Sequence, residues 1–204
     1  CIYYLVNLVA GILHPVTIIG RENLPEHGAR KDSPEKLVPW VVTRELQAVY
    51  ARMQPVWKHI RVYGVSIGAW FAMQALQTQQ PEKALLVSPI VDMENLIGNM
   101  MRWANVTEQE LAEKQEIATD FGETLSWRYL CYVRAHPISW NVPTQILYGE
   151  HDNLTSMETV SAFAKRHHAK LTVMPGGEHW FHTEEQMQFL DHWVRERSLK
   201  DVCG

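Results

Sequence analysis

The chain is poor in cysteine and carries no excess of positive charge. Its 204 residues hold three cysteines, Cys1, Cys131 and Cys203, odd in number and widely spaced. No Cys-x-x-Cys occurs, so neither a disulfide framework nor a cysteine zinc site is expected, and a reducing, cytoplasmic setting fits. Nineteen basic residues against 23 acidic ones leave a net charge of −4. That balance argues against a nucleic-acid or anionic-membrane binder, which carries a basic stripe. What is present is an ordinary globular composition, 46% hydrophobic and 21% charged, enough to build a core.

Residues 1–20 contain no Asp, Glu, Lys or Arg. The length is borderline for a membrane-spanning helix. Asn7, His14 and Pro15 interrupt the run, no basic residue flanks its start, and a secretory signal would need a positive n-region. The expectation is therefore two short buried strands, Ile2–Val6 and Val16–Gly20, joined through Gly11 and the turn at His14-Pro15.

Beyond them, apolar runs with strand texture alternate with stretches of helical period. Arg21–Pro34 is polar and turn-rich. A helix is expected over Pro39–Gln54, with Val42, Leu46, Val49, Tyr50 and Met53 on one side and Pro39 in the first turn, where its missing N–H costs nothing. His59–Tyr63 reads as a strand, Ile67–Gln77 as a helix with Ala69, Trp70, Met73 and Leu76 inward, and Ala84–Val87 as a strand stopped by Ser88-Pro89. Met93–Pro137 reads as helical throughout, with no strand signal. Within it, the capping-box pattern at Thr107–Glu110 starts a helix to about Ala118, and another covers Leu125–Val133. Strands at Thr144–Tyr148 and Lys170–Met174 and helices at Ser156–His167 and Thr183–Arg197 complete the pattern. Alternation of this kind implies a mostly parallel central sheet flanked by helices, an α/β fold. The block at 93–137 interrupts it as a helical insertion between an N-terminal part, 1–92, and a C-terminal part, 138–204, of one domain.

Gly64-Val65-Ser66-Ile67-Gly68 is a G-x-S-x-G motif between a strand and a helix, the setting a nucleophile elbow requires. A serine hydroxyl needs a base, and the base an orienting acid, which follow the elbow in the order acid, histidine. Tyr148–Asp152 and Pro175–His179 each lie just past a strand, and loops at the C-terminal edge of a parallel sheet share one crevice. Ser66, Asp152 and His179 are the candidate catalytic residues. Glu150 competes with Asp152, which sits deeper in its loop and can turn back to a histidine; Glu178 is poorly placed beside His179. His182, His192, His167 and His168 read as residues of solvated helices or helix ends. A metal site through His179-x-x-His182 lacks the H-E-x-x-H spacing, so no metal is expected.

Together these residues resemble the α/β-hydrolase superfamily, from about Val16 to Arg197. GVSIG stands as the elbow, YGEHDNL as the acid loop and PGGEHWF as the histidine loop. Asn23–Gly28 is similar to the family's Asp-x-Pro-x-His-Gly turn, with Asn23 in place of the aspartate. Residues 93–137 stand where the family carries its cap, between strands six and seven, and the resemblance is to small serine esterases and lipase-like hydrolases with helical caps. It implies an oxyanion hole formed by the Ile67 N–H and a second backbone donor. That donor is unidentified here, because Leu5–Leu8, at the end of Ile2–Val6, the strand that would carry it, holds no His-Gly. The family's earlier strands are missing, and the apolar opening reads as interior strands left at the start of the chain by loss of what preceded them. The sheet edge there is expected to be irregular or completed by another chain.

The expected activity is that of a serine hydrolase cleaving a carboxylic ester, or a thioester or amide, through an acyl-enzyme, with no cofactor. The substrate is a small-molecule acyl ester, with Trp103, Trp127, Tyr129 and Met100 as candidate pocket residues; packing of the insertion explains the same four equally well. No nucleic acid and no membrane span are expected, and self-association into a homo-oligomer stays open. Two alternatives stand beside it: a catalytically weakened binding or interaction protein, and an acyltransferase using the same three residues.

Overall fold

The computed structural model describes residues 5–12, 16–32, 34–79 and 81–199, with side chains from residue 24 to residue 197. Its strands are β1 (Leu5–Ile12), β2 (Val16–Asn23), β3 (Ile60–Val65), β4 (Lys83–Val87), β5 (Glu116–Ala118), β6 (Thr124–Ser126), β7 (Thr144–Gly149) and β8 (Lys170–Met174). Its helices are α1 (Pro39–Met53), α2 (Ile67–Leu76), α3 (Met93–Trp103), α4 (Glu108–Lys114), α5 (Trp127–Ala135), α6 (Met157–Arg166) and α7 (Glu184–Leu199). Six strands form one sheet in the order β2-β1-β3-β4-β7-β8. From β3 to β8 the neighbours are parallel.

Along β4, Ala84 and Leu86 enter the large core cluster, and Leu85 and Val87 enter a smaller one with Leu147, Met174 and Trp193. Both faces are therefore covered, as a parallel sheet requires. The helix α1 buries Val42, Leu46, Val49 and Tyr50, as its periodicity predicts. The helix α2 differs from expectation. Instead of one inward stripe, every residue from Gly68 to Leu76 is buried, because α1 and the 93–137 segment close over the side turned away from the sheet.

Two expectations need correction. The first strand was expected over Ile2–Val6, of which residues 2–4 lie outside the described residues. The strand runs Leu5–Ile12 and pairs antiparallel with both β2 and β3. Gly11 belongs to it and is not a linker, since pairing continues to Ile12 opposite Val16. The expected burial of side chains 1–20, like the turn at His14-Pro15, lies outside the described residues. The second correction concerns 93–137, which is not helical throughout. Gln115 takes φ +67 and ends α4, and its carbonyl accepts the Trp127 N–H. The chain then forms the antiparallel hairpin β5–β6, turned at Gly122 with φ +88. Thr107 does cap α4, accepting the Glu110 N–H as the capping-box spacing requires.

Candidate active site

Ser66 stands between β3 and α2 with φ +51 and ψ −125, a conformation that L-residues hold only under constraint. The constraint is visible on both sides. Its N–H donates to Val87 O at 3.0 Å, and its carbonyl accepts the N–H groups of Ala69 (3.1 Å) and Ile90 (3.2 Å). Gly64 is required by packing, because a Cβ there would stand 2.7 Å from Ala69 Cα. Ile67 opens α2, so its N–H has no intrahelical acceptor.

The acid and histidine loops are joined backbone to backbone. The N–H of Glu150 donates to Met174 O at 3.1 Å and that of His151 to Gly177 O at 2.7 Å. Gly149 and Gly177 pack against each other; a Cβ on Gly149 would stand 2.5 Å from Glu178 O. Glu150 is exposed and accepts the Gly176 N–H through Oε2 at 2.8 Å. It holds the histidine loop and does not touch the ring. Glu178 pairs with His182 at 3.1 Å.

Asp152 is the carboxylate on His179. Its side chain has no solvent exposure. Its Oδ1 accepts the N–H groups of Leu154 (2.8 Å) and Thr155 (3.0 Å), and Oδ2 lies 2.7 Å from His179 Nδ1. An ionised carboxylate only accepts, so Nδ1 carries the proton and Nε2 is left as the acceptor. That Nε2 lies 2.7 Å from Ser66 Oγ. The three residues thus come together in one connected line, and His179, 8% exposed, is where the line meets solvent. Burial and then the nearby Asp152 carboxylate push the Tyr148 phenol up to about 12; burial does the same for Tyr63.

Leu5–Leu8, where the resemblance would put a second oxyanion donor, belong to a strand and not to a loop. Because β1 is antiparallel to β3, Asn7 and Leu8 lie opposite Tyr63 and Val62 along the strand, not in a loop at its end. The start of β1 and the end of β2 are what reach the elbow's edge, with Val6 opposite Gly64 and Leu5 opposite Asn23.

Of the candidate pocket residues, Tyr129 stacks on Trp70 of α2 with ring centroids 6.0 Å apart, and Trp40 meets it edge-on. Its hydroxyl is buried without a hydrogen-bond partner. Trp127 and Met100 are half-buried against the main core. Trp103 is 56% exposed, with its ring edge-on to Phe121. A groove of about 400 Å³ runs between α1, α2 and α5, lined by Gln47, Gln74 and Tyr132 among others, at the end of α2 away from Ser66. A second groove, of about 350 Å³, lies among α3, α4 and α5. Ser66, Asp152 and His179 line neither. Among the described residues no three His, Cys, Asp or Glu side chains gather in a way that could hold a metal ion, and no helix is long and apolar enough to cross a membrane.

No protein-family model matches the chain, and no curated protein matches it. Solved structures do. Est1E from Butyrivibrio proteoclasticus, in a structure with ferulic acid bound, matches with TM-score 0.70 and 18% identity over 92% of this chain and 78% of that one. In another Est1E structure the match, with TM-score 0.56 and 18% identity, covers 70% of this chain and 60% of that one. The alpha/beta hydrolase domain-containing protein 10 from mouse matches with TM-score 0.63 and 14% identity over 87% and 76%. A thermophilic esterase from Thermogutta terrifontis matches with TM-score 0.56 and 16% identity over 89% and 80%. With its parallel strands, its elbow and these structural neighbours, the chain has the α/β-hydrolase fold.

Proposed function

We propose that the chain is a serine hydrolase that cleaves a carboxylic ester, or a thioester or amide, through an acyl-enzyme. The observation that carries this reading is the line Ser66 Oγ, His179 Nε2 and Nδ1, Asp152 Oδ2, with 2.7 Å at each of its two links. His179 takes the Ser66 proton as Oγ attacks the ester carbonyl. The Ile67 N–H stabilises the tetrahedral oxyanion. The C–O bond to the leaving group then breaks, and His179 returns the proton to the departing oxygen. Water, deprotonated by His179 in turn, releases the acid and restores Ser66. Asp152 holds the imidazole in the Nδ1–H tautomer and stabilises its charged form.

In the same proposal, residues 93–137 act as a cap. The segment leaves the sheet at the end of β4, on the edge that carries Ser66, and packs back on α2 through Tyr129 and Trp70. Its aromatic side chains give the acyl group an apolar wall. No cofactor is required, and the exposed free thiol of Cys131 suits a cytoplasmic setting.

The test is hydrolysis of a panel running from p-nitrophenyl acetate to longer acyl esters, with methyl ferulate included because Est1E is described with ferulic acid bound. Ser66→Ala should bring turnover to background while leaving the fold intact. Unchanged turnover by Ser66→Ala overturns the mechanism. An intact wild type that turns over none of the panel supports a binding role instead, and ester exchange to an added alcohol in preference to hydrolysis supports acyl transfer.

A further inference from the structure

Ser88-Pro89 follows β4 and lies between the elbow and the acid loop, since β4 is flanked by β3 and β7. The residue before a proline is restricted to extended conformations, yet Ser88 has φ +42. It is fully buried, and its hydroxyl has no hydrogen-bond partner. Strain of this kind persists only where the surroundings over-determine the backbone. Here three bonds do so. Ser88 N–H donates to Leu147 O at 2.8 Å, Ile90 N–H donates to Ser66 O at 3.2 Å, and Thr155 Oγ1 donates to Pro89 O at 3.3 Å.

Thr155 is the one residue of the three attachments that also touches the acid. It is 4% exposed and lies three residues after Asp152. Its N–H donates to Asp152 Oδ1 at 3.0 Å, its carbonyl accepts the Tyr148 hydroxyl at 2.7 Å, and its hydroxyl reaches the Pro89 carbonyl. Ile90, next to Pro89, holds the Ser66 carbonyl, and Val87 holds the Ser66 N–H. A continuous path therefore runs from Asp152 through Thr155 and the strained turn to the backbone of Ser66, separate from the path through His179.

We propose that Thr155 is a positioning residue: it latches the strained Ser88-Pro89 turn to the acid loop and so fixes the distance between Ser66 and the Asp152–His179 pair. This rests on the serine-hydrolase reading. The acid loop and the elbow lie on different strands, and His179 can bridge them at hydrogen-bond distance on both sides only if their spacing is held. Valine has the shape of threonine but cannot donate; serine keeps the donor.

The experiment measures kcat and KM on p-nitrophenyl acetate, and the proton NMR signal of the His179 Nδ1–H, for wild type, Thr155→Val, Thr155→Ser and Thr155→Val with Ser88→Gly. Thr155→Val should lose about tenfold to a hundredfold in kcat with KM nearly unchanged, as for a sub-ångström misalignment, and its Nδ1–H signal should shift or broaden. Thr155→Ser should restore both. Adding Ser88→Gly to Thr155→Val should recover part of the rate, because glycine takes a positive φ without strain. Loss of thermal stability with unchanged kcat and an unchanged Nδ1–H signal would mean a merely structural threonine and would overturn the proposal. If the wild type shows the Nδ1–H signal but hydrolyses no ester, the serine-hydrolase reading has failed. Thr155 is then judged on the signal alone: a change in Thr155→Val that Thr155→Ser reverses supports the latch, and no change overturns it.

Discussion

The loops that carry Asp152 and His179 and the segment 93–137 are held to the sheet in opposite ways. The two loops are locked through backbone: amide to carbonyl from Glu150 and His151, and glycine against glycine at Gly149 and Gly177. The segment 93–137 is held through side chains. Tyr129 stacks on Trp70, Trp40 meets Tyr129 and Tyr132, and Arg128 lies 3.9 Å over the Trp40 ring. A glycine packed directly on backbone leaves no room for a larger residue, whereas a side-chain interface can be repacked. The fold thus holds the groups proposed to react rigidly and leaves the surface proposed to meet substrate open to variation.

That contrast can be broken at several points. The largest effect is expected from Gly149→Ala, whose Cβ meets the Gly177 and Glu178 backbone at 2.5–2.6 Å. It should cost about 3 kcal/mol of stability, and ester turnover should fall by about a hundredfold or more. Comparable kcat in this variant would show that the two loops are not locked. Trp40→Ala should come next, with a loss of about 2–3 kcal/mol from missing ring contacts. Its kcat on the smallest ester should stay near that of wild type, since the groups proposed to react do not depend on that interface; a parallel collapse of kcat would erase the distinction.

The third effect is a pH dependence. An unfolded phenol ionises near pH 10, whereas burial holds the Tyr63 and Tyr148 protons to about 12. Burial first, and then Tyr132 and Glu123, push the Tyr129 phenol up as well. Above about pH 10 the unfolded chain binds fewer protons than the folded one, so stability should fall as pH rises through about 10 to 12. Urea unfolding across that range measures it. Tyr129→Phe removes a buried hydroxyl that has no partner, so it should stabilise by about 1 kcal/mol at neutral pH and lessen the alkaline loss. Destabilisation at neutral pH would mean that the hydroxyl is bonded after all.

The smallest effect is expected at Arg134. It bonds Glu94 and Glu108 and ties α3, α4 and α5 together, but on an exposed surface. Arg134→Met should barely move Tm, and whatever shift occurs should shrink with added salt.

Much of the site was legible in the sequence because its signals are local. The elbow is five consecutive residues, and the acid and histidine loops each follow a short stretch with strand texture, Thr144–Gly149 and Lys170–Met174. Between Glu150 and Asp152 the spacing only gave a preference; what separates them is a contact between two loops, with Gly176 taking Glu150 and the N–H groups of Leu154 and Thr155 taking Asp152. The direction of β1 was illegible because hydrophobic periodicity has no sense along the chain, and its length was illegible because Asn7, a break in the apolar run, lies mid-strand. The β5–β6 hairpin was missed because three-residue, largely exposed strands carry no measurable alternation. A left-handed Gln115 breaks α4 where the composition still reads as helix. The strained turn at Ser88-Pro89 was read only as the stop of a strand.

The most direct measurement is mass spectrometry of the intact protein after a fluorophosphonate probe, followed by peptide mapping. One adduct, on Ser66, formed fast in the wild type and slowed at least about a hundredfold in His179→Ala, is the expected result. An adduct on another residue, or labelling of Ser66 at the same rate without His179, would contradict a Ser66 activated by His179 and Asp152.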